Sequence, residues 1–161
     1  MAIAAEDERQ ANLWPYVLQF GVLYIVASVV VTAIEYAFDL DTYAGANIGI
    51  MIASAIVPVR RFVLDHRRPF NRREQGRFAL LALVAGFVVD LVHIALVILF
   101  AGELKEFLLL VDELSATTQD EVLVMAIGLI VMYLLLFAVM YFLAEIFSRS
   151  FSKRLADKGK I

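Results

Sequence analysis

Long apolar runs alternate with short polar stretches along the whole chain. About 20 apolar residues in a helix, each rising about 1.5 Å, cross a hydrocarbon core of roughly 30 Å. Four runs meet that length, so the pattern predicts an all-α fold, a bundle of four transmembrane helices forming one membrane domain. The predicted spans are residues 13–38, 45–64, 78–101 and 121–147.

Polar signals mark where these helices begin and end. Pro69 ends the second helix, because proline cannot continue it. Asn71 with Glu74, and Thr118 with Glu121, have the spacing of capping boxes that open the third and fourth helices. Between these two helices, the acidic and apolar segment 103–114 is too short to span and is predicted to lie amphipathically along the interface. The tail, residues 148–161, is predicted to be frayed.

Charge is distributed unevenly and predicts the orientation. The block 60–77 carries seven arginines, the tail is also basic, and the loops after the first and third spans are acidic. Lys and Arg favour cytoplasmic loops in membrane proteins. The N- and C-termini are therefore predicted to be cytoplasmic.

Composition supports the membrane class and narrows the chemistry. Of 161 residues, 62% are hydrophobic, well above the roughly 45–50% of soluble domains. The chain has no cysteine, which excludes disulfides and thiolate metal sites. Because no catalytic, nucleotide-binding or metal-binding motif stands out, we expect a non-enzymatic protein without a metal or cofactor.

Asp90 and His93 lie near the middle of the third span, three residues apart and therefore on one helix face. A carboxylate at the membrane centre costs about 2.5–3.5 kcal/mol on insertion scales. The pair suggests a proton or cation relay or a ligand pocket; the alternative is a hydrogen-bonded pair that fixes helix register. His93 could also bind a pigment or haem, but one histidine is a weak signal.

The first span carries a matching polar face. If the first and third spans pack side by side, Tyr24 and Ser28 reach the depth of Asp90. Thr32 and Glu35 then lie nearer His93. The alternative is that these are ordinary membrane Ser and Thr residues, with an acidic side chain extending to the surface. The residues at helical spacing are Tyr24, Ser28, Thr32 and Glu35.

Two further sets suggest contacts with other molecules. Gly45, Gly49 and Ala53 recur every four residues, as on helix faces that another helix approaches closely.

The arginines of the block 60–77 could bind lipid headgroups, phosphate or an acidic partner, or could only set topology. Nucleic acid is not expected, because the loop is short and offers few stacking rings. The arginines are Arg60, Arg61, Arg67, Arg68, Arg72, Arg73 and Arg77.

The stretch NIGIMIASAIVPVRRFVLDHRRPFNRREQGRFALLAL resembles a family of small bacterial inner-membrane proteins with four spans. The likeness rests on a small-residue second helix and an R-x-P-x-x-x-x-E turn, here Arg67 or Arg68, Pro69 and Glu74. It covers about forty residues. It implies a multi-pass protein of the bacterial inner membrane and transfers no activity.

Three functions follow from these features. The first is an accessory or interaction subunit of a larger inner-membrane complex, contacting lipids and other subunits or itself. The second is a small homo-oligomeric transporter or channel using Asp90 and His93. The third is a lipid enzyme, which the sequence disfavours because the arginines and any base lie roughly 20 Å apart along the helix.

Overall fold

The computed structural model describes residues 11–39, 44–101, 105, 108–109, 112, 118–157 and 159. They form an all-helical bundle of four long helices: α1, Trp14–Phe38; α2, Ala44–His66; α3, Arg72–Ala101; and α4, Gln119–Ala156. Each is long and apolar enough to cross a membrane, so the predicted four-span fold is confirmed. Most of segment 103–114 lies outside the described residues, and the orientation of the termini stays a prediction.

The four helices form a ring in which each contacts two neighbours. Helix α1 packs against α2 and α3, and α4 packs against the same two helices, so α1 and α4 lie at opposite corners. Helices α1 and α3 run parallel, because Ala11 meets Glu74 near their starts and Thr32 meets His93 near their ends. This parallel pairing places the two polar faces seen in the sequence side by side.

The bundle has a closed half and an open half. We call the end that carries residues 60–77 the arginine end, and the end that carries Asp39 and Thr118 the acidic end. The largest buried rings, Phe20, Phe62 and Phe78, all lie in the arginine half. By contrast, every residue in 121–132 of α4 is exposed. Packing within the chain is therefore concentrated in the arginine half.

The turn between α2 and α3 is fixed by the predicted capping box. The Asn71 side chain accepts a hydrogen bond from the Glu74 N–H at 2.8 Å, and Glu74 accepts one from the Asn71 N–H at 3.0 Å. These bonds satisfy backbone donors that a helix start leaves unpaired. The preceding helix ends at His66, followed by Arg67 in the left-handed region at a φ of 53°.

The C-terminal tail differs from the prediction. The predicted fraying of the tail is wrong over residues 148–156, because α4 continues as a helix to Ala156. Phe147, Phe151 and Leu155 repeat every four residues and pack against the buried core. This spacing keeps one apolar stripe on the bundle, so the basic tail is also an amphipathic helix end.

Candidate functional site

A polar contact joins α1 to α3 about midway along the two helices. The Tyr24 hydroxyl donates a hydrogen bond of 2.8 Å to Asp90 Oδ1, and Tyr24 is only 3% exposed. Gly86, one turn before Asp90, lies beside the Tyr24 ring, and a Cβ added there would be in van der Waals contact with Tyr24 Cε1 at 3.9 Å. Asp90 itself is exposed. Tyr24 thus holds a carboxylate whose remaining surface stays accessible.

A second polar contact lies further towards the acidic end. Thr32 Oγ1 lies 3.3 Å from His93 Nε2, and both side chains are half-buried. Asp90 and His93 therefore each have their own partner on α1. The structure brings the predicted residues together as two separate pairs.

The other two members of the predicted polar face lie beside these pairs. Ser28 is 8% exposed, and its hydroxyl has no hydrogen-bond partner among the described residues. It lies one turn from Tyr24 and one turn from Thr32. Glu35 is half-buried near the acidic end of α1.

Asp90 opens onto a cavity of about 270 Å³ between all four helices. Tyr24 contributes from α1 and Asp90 from α3. Asn47 and Met51 line it from α2, and Tyr133 lines it from α4. Asn47 and Tyr133 were not predicted as members of this site. A polar amide near the start of the short second span could have indicated that Asn47 faces a polar site. The position of Tyr133 could not have been predicted in this way, because it depends on how α4 packs.

The cavity lacks the features of a metal centre in the part of the chain that the structure describes. No group of three or more His, Cys, Asp or Glu side chains comes together among those residues. Divalent cations normally need several oxygen or nitrogen ligands. The arrangement can instead offer one carboxylate, hydroxyl and amide groups, and tyrosine rings in apolar surroundings.

A different polar cluster closes the arginine end. Arg68 forms a two-pronged ion pair with Glu74, with both N···O distances 2.8 Å. Glu74 is 1% exposed and also accepts a hydrogen bond from the Ala11 N–H at 3.1 Å. This buried carboxylate ties the segment before α1 to the α2–α3 turn.

Aromatic rings surround that ion pair. Phe62 stacks on Phe70 at 4.0 Å and on His66 at 4.3 Å between ring centroids, and the Arg68 guanidinium lies 5.6 Å from the Phe62 ring. The Tyr16 hydroxyl donates a 2.9 Å hydrogen bond to Asp65. This aromatic cluster was not predicted, because its members come together only in the tertiary fold.

The seven arginines of the block divide into two groups. Arg68 is half-buried and forms an ion pair with Glu74, so its charge stabilises the α2–α3 turn. The sequence had predicted that it contacts lipid headgroups or a partner. Arg61 pairs loosely with Asp65 at 3.7 Å on the surface. The exposed arginines are Arg60, Arg61, Arg67, Arg72, Arg73 and Arg77.

The small residues of α2 lie on the outside of the bundle. Gly49 and Ala53 are exposed, and a Cβ added at Gly49 would meet nothing within 4 Å. Gly45 lies in the first turn of α2. Within the described chain, Gly49 and Ala53 therefore do not mediate helix packing, and their predicted role requires a helix from another molecule.

The chain was compared with protein-family models, curated proteins and solved structures, and none of them matches it.

Proposed function

We propose that this protein is a non-enzymatic interaction subunit of a larger complex in the bacterial inner membrane. The observation that carries the proposal is the outer face of α2, defined by Gly49, Ala53, Val57, Arg60 and Leu64, all of them exposed.

The direction of this face follows from helix geometry. Asn47 and Met51 line the cavity inside the bundle. Gly49 lies two residues beyond Asn47, which is about 200° of rotation around the helix axis. Ala53 follows Gly49 by four residues and shares its face. The small residues therefore point away from the bundle, towards lipid or another helix.

Small residues on such a face favour a helix as the neighbour. In lipid, helices associate through van der Waals packing, and small residues let two backbones approach closely. A lone lipid-facing helix gains nothing from glycine, which is a poor helix former. The exposed residues 121–132 of α4 add a second uncovered apolar surface in the acidic half.

The exposed arginines support the same role at the arginine end. Basic residues beside an anionic leaflet contribute about 1 kcal/mol each near the surface. Arg60 continues the outer face of α2 into this zone, so a partner helix there can also meet headgroups or acidic side chains.

Site-specific photocrosslinking in cells tests the proposal. A photoreactive amino acid at Ala53 should give an adduct with a second, different membrane protein. The matched control places it at Val26, which is 56% exposed on α1, and should not give that adduct. Purification in mild detergent through a C-terminal tag should recover the same partner. Recovery of self-assembled protein alone, without a stoichiometric partner, would argue against a subunit role.

The cavity favours a second candidate, a small homo-oligomeric transporter or channel. Asp90 faces a space shared by four helices, and His93 lies one turn further along α3. Proteoliposomes under a proton or sodium gradient should then show flux that Asp90→Asn abolishes. The matched control is Asp65→Asn, another carboxylate that accepts a tyrosine hydroxyl but lies at the arginine end. Wild-type flux equal to that of empty liposomes would end this candidate.

A further inference from the structure

We infer that the cavity around Asp90 is a binding site for a small organic monocation with an apolar body. This inference supplies a ligand class for the transporter candidate and rests on the cavity alone, since binding does not require transport.

The charge of the site favours a cation. Asp90 receives one hydrogen bond from Tyr24, and no Lys or Arg among the described residues forms a salt bridge with it. Asp90 lies within a helix long and apolar enough to span the membrane, and a carboxylate at that depth is costly unless it is paired. A positively charged ligand in the cavity would provide the missing pair.

The side chains that line the cavity favour an organic cation. Tyr24 and Tyr133 line the cavity together with Met51 and Met132. Aromatic rings attract cations through their faces, most strongly where water is excluded. Methionine side chains adapt to irregular apolar shapes. These walls suit a quaternary or substituted ammonium group better than a hydrated inorganic ion.

The volume of the cavity favours a compact ligand. The cavity of about 270 Å³ lies just below the roughly 300–1,000 Å³ of sites for drug-sized ligands. A compact cation with one ring or a few short alkyl groups fits this volume. A metal ion would leave most of it unfilled and would find one carboxylate where it needs several ligands.

The inference is tested by calorimetric titration of the purified protein in a maltoside detergent, which carries no ammonium group. The probe is benzyltrimethylammonium. Benzyl alcohol and benzoate keep the ring but are neutral and negatively charged. Saturable binding of the cation, at least about tenfold tighter than of either analogue, is expected because charge pairing away from water is worth a factor of this size. No saturable binding, or equal binding of all three compounds, would overturn the inference.

Substitutions locate the site. Asp90→Asn keeps an acceptor for the Tyr24 hydroxyl and should weaken cation binding at least about tenfold. Asp65→Asn, the matched carboxylate outside the cavity, should leave binding unchanged. Equal effects of these two variants would place the site elsewhere.

A second pair of variants keeps the test informative if Asp90→Asn does not fold. Tyr133→Leu should weaken binding about fivefold through loss of the cation–ring attraction. Tyr133→Phe, which keeps the ring, should bind more tightly than Tyr133→Leu. Binding that is insensitive to Tyr133→Leu would contradict the inferred site.

Discussion

Glu74 is the residue on which the hydrogen bonds of the arginine end converge. Its two carboxylate oxygens accept from both nitrogens of Arg68 and from the N–H groups of Asn71 and Ala11. A carboxylate has about four acceptor positions. Glu74 therefore has its acceptor capacity filled while being almost completely buried.

We predict that Glu74→Gln destabilises the protein strongly. The amide cannot accept all these bonds, and Arg68 is left half-buried without its counter-charge, which costs about 3–5 kcal/mol when a buried pair is broken. The control is Glu145→Gln, which breaks the surface pair with Arg149 at 2.7 Å and should cost less than about 1 kcal/mol. Thermal unfolding in detergent should show a much larger fall in midpoint for Glu74→Gln; equal shifts would refute this role.

The spacing of Asn71 and Glu74 was enough to predict the capping bonds, because both partners belong to one helix start. The same spacing could not reveal that Ala11, 63 positions away, donates to Glu74. Nor could it show that Arg68, rather than a neighbouring arginine, forms the ion pair. Sequence patterns identify local partners, and tertiary partners require the arrangement of the helices.

Among the elements, the α1–α3 pair determines the geometry of the candidate site. Their close approach at Gly86 brings Tyr24 within reach of Asp90. The helical spacing of polar residues on the first span agrees with the contacts that Tyr24 and Thr32 make with α3. The cavity itself was not predictable, because it depends on α2 and α4 leaving space between them.

We predict that Gly86→Leu separates α1 from α3. A Cβ at position 86 would already touch the Tyr24 ring at 3.9 Å. The further carbons of leucine should therefore crowd that ring, and overpacking of this kind costs about 1–3 kcal/mol. Gly128→Leu on α4 is the matched control, since a Cβ there meets nothing within 4 Å. Gly86→Leu should lower the unfolding midpoint and cation binding together, and Gly128→Leu should change neither. Identical behaviour of the two variants would contradict the close approach.

The end of α4 supports a second prediction at this scale. Phe151 packs against the buried core, so Phe151→Ala should destabilise the protein by about 1–2 kcal/mol through loss of buried apolar area. Phe142 is 59% exposed on the same helix, and Phe142→Ala should have little effect. The comparison uses thermal unfolding in detergent. A tail without a packing role would give the same midpoint for Phe151→Ala and the wild type.

For the molecule as a whole, the arginine distribution predicts the direction of insertion. Because the chain has no cysteine, label on the purified single-cysteine variant can come only from the introduced cysteine. In intact cells, Asp39→Cys should react with an impermeant maleimide, while Lys153→Cys should react only after the membrane is permeabilised. The reverse pattern would invert the predicted topology and place the arginine end outside.

The position of α1 between α2 and α3 also has a consequence for biosynthesis. Tyr16 has its partner Asp65 on α2, whereas the partner of Tyr24 is Asp90 on α3. As the ribosome delivers the spans in order, the first hairpin can join at its arginine end as soon as α2 emerges. The Tyr24 hydroxyl can form its hydrogen bond only after α3 has also been synthesised. The order of translation therefore predicts the order of packing: α1 and α2 insert and pack first, and the α1–α3 contact that contains Asp90 forms afterwards.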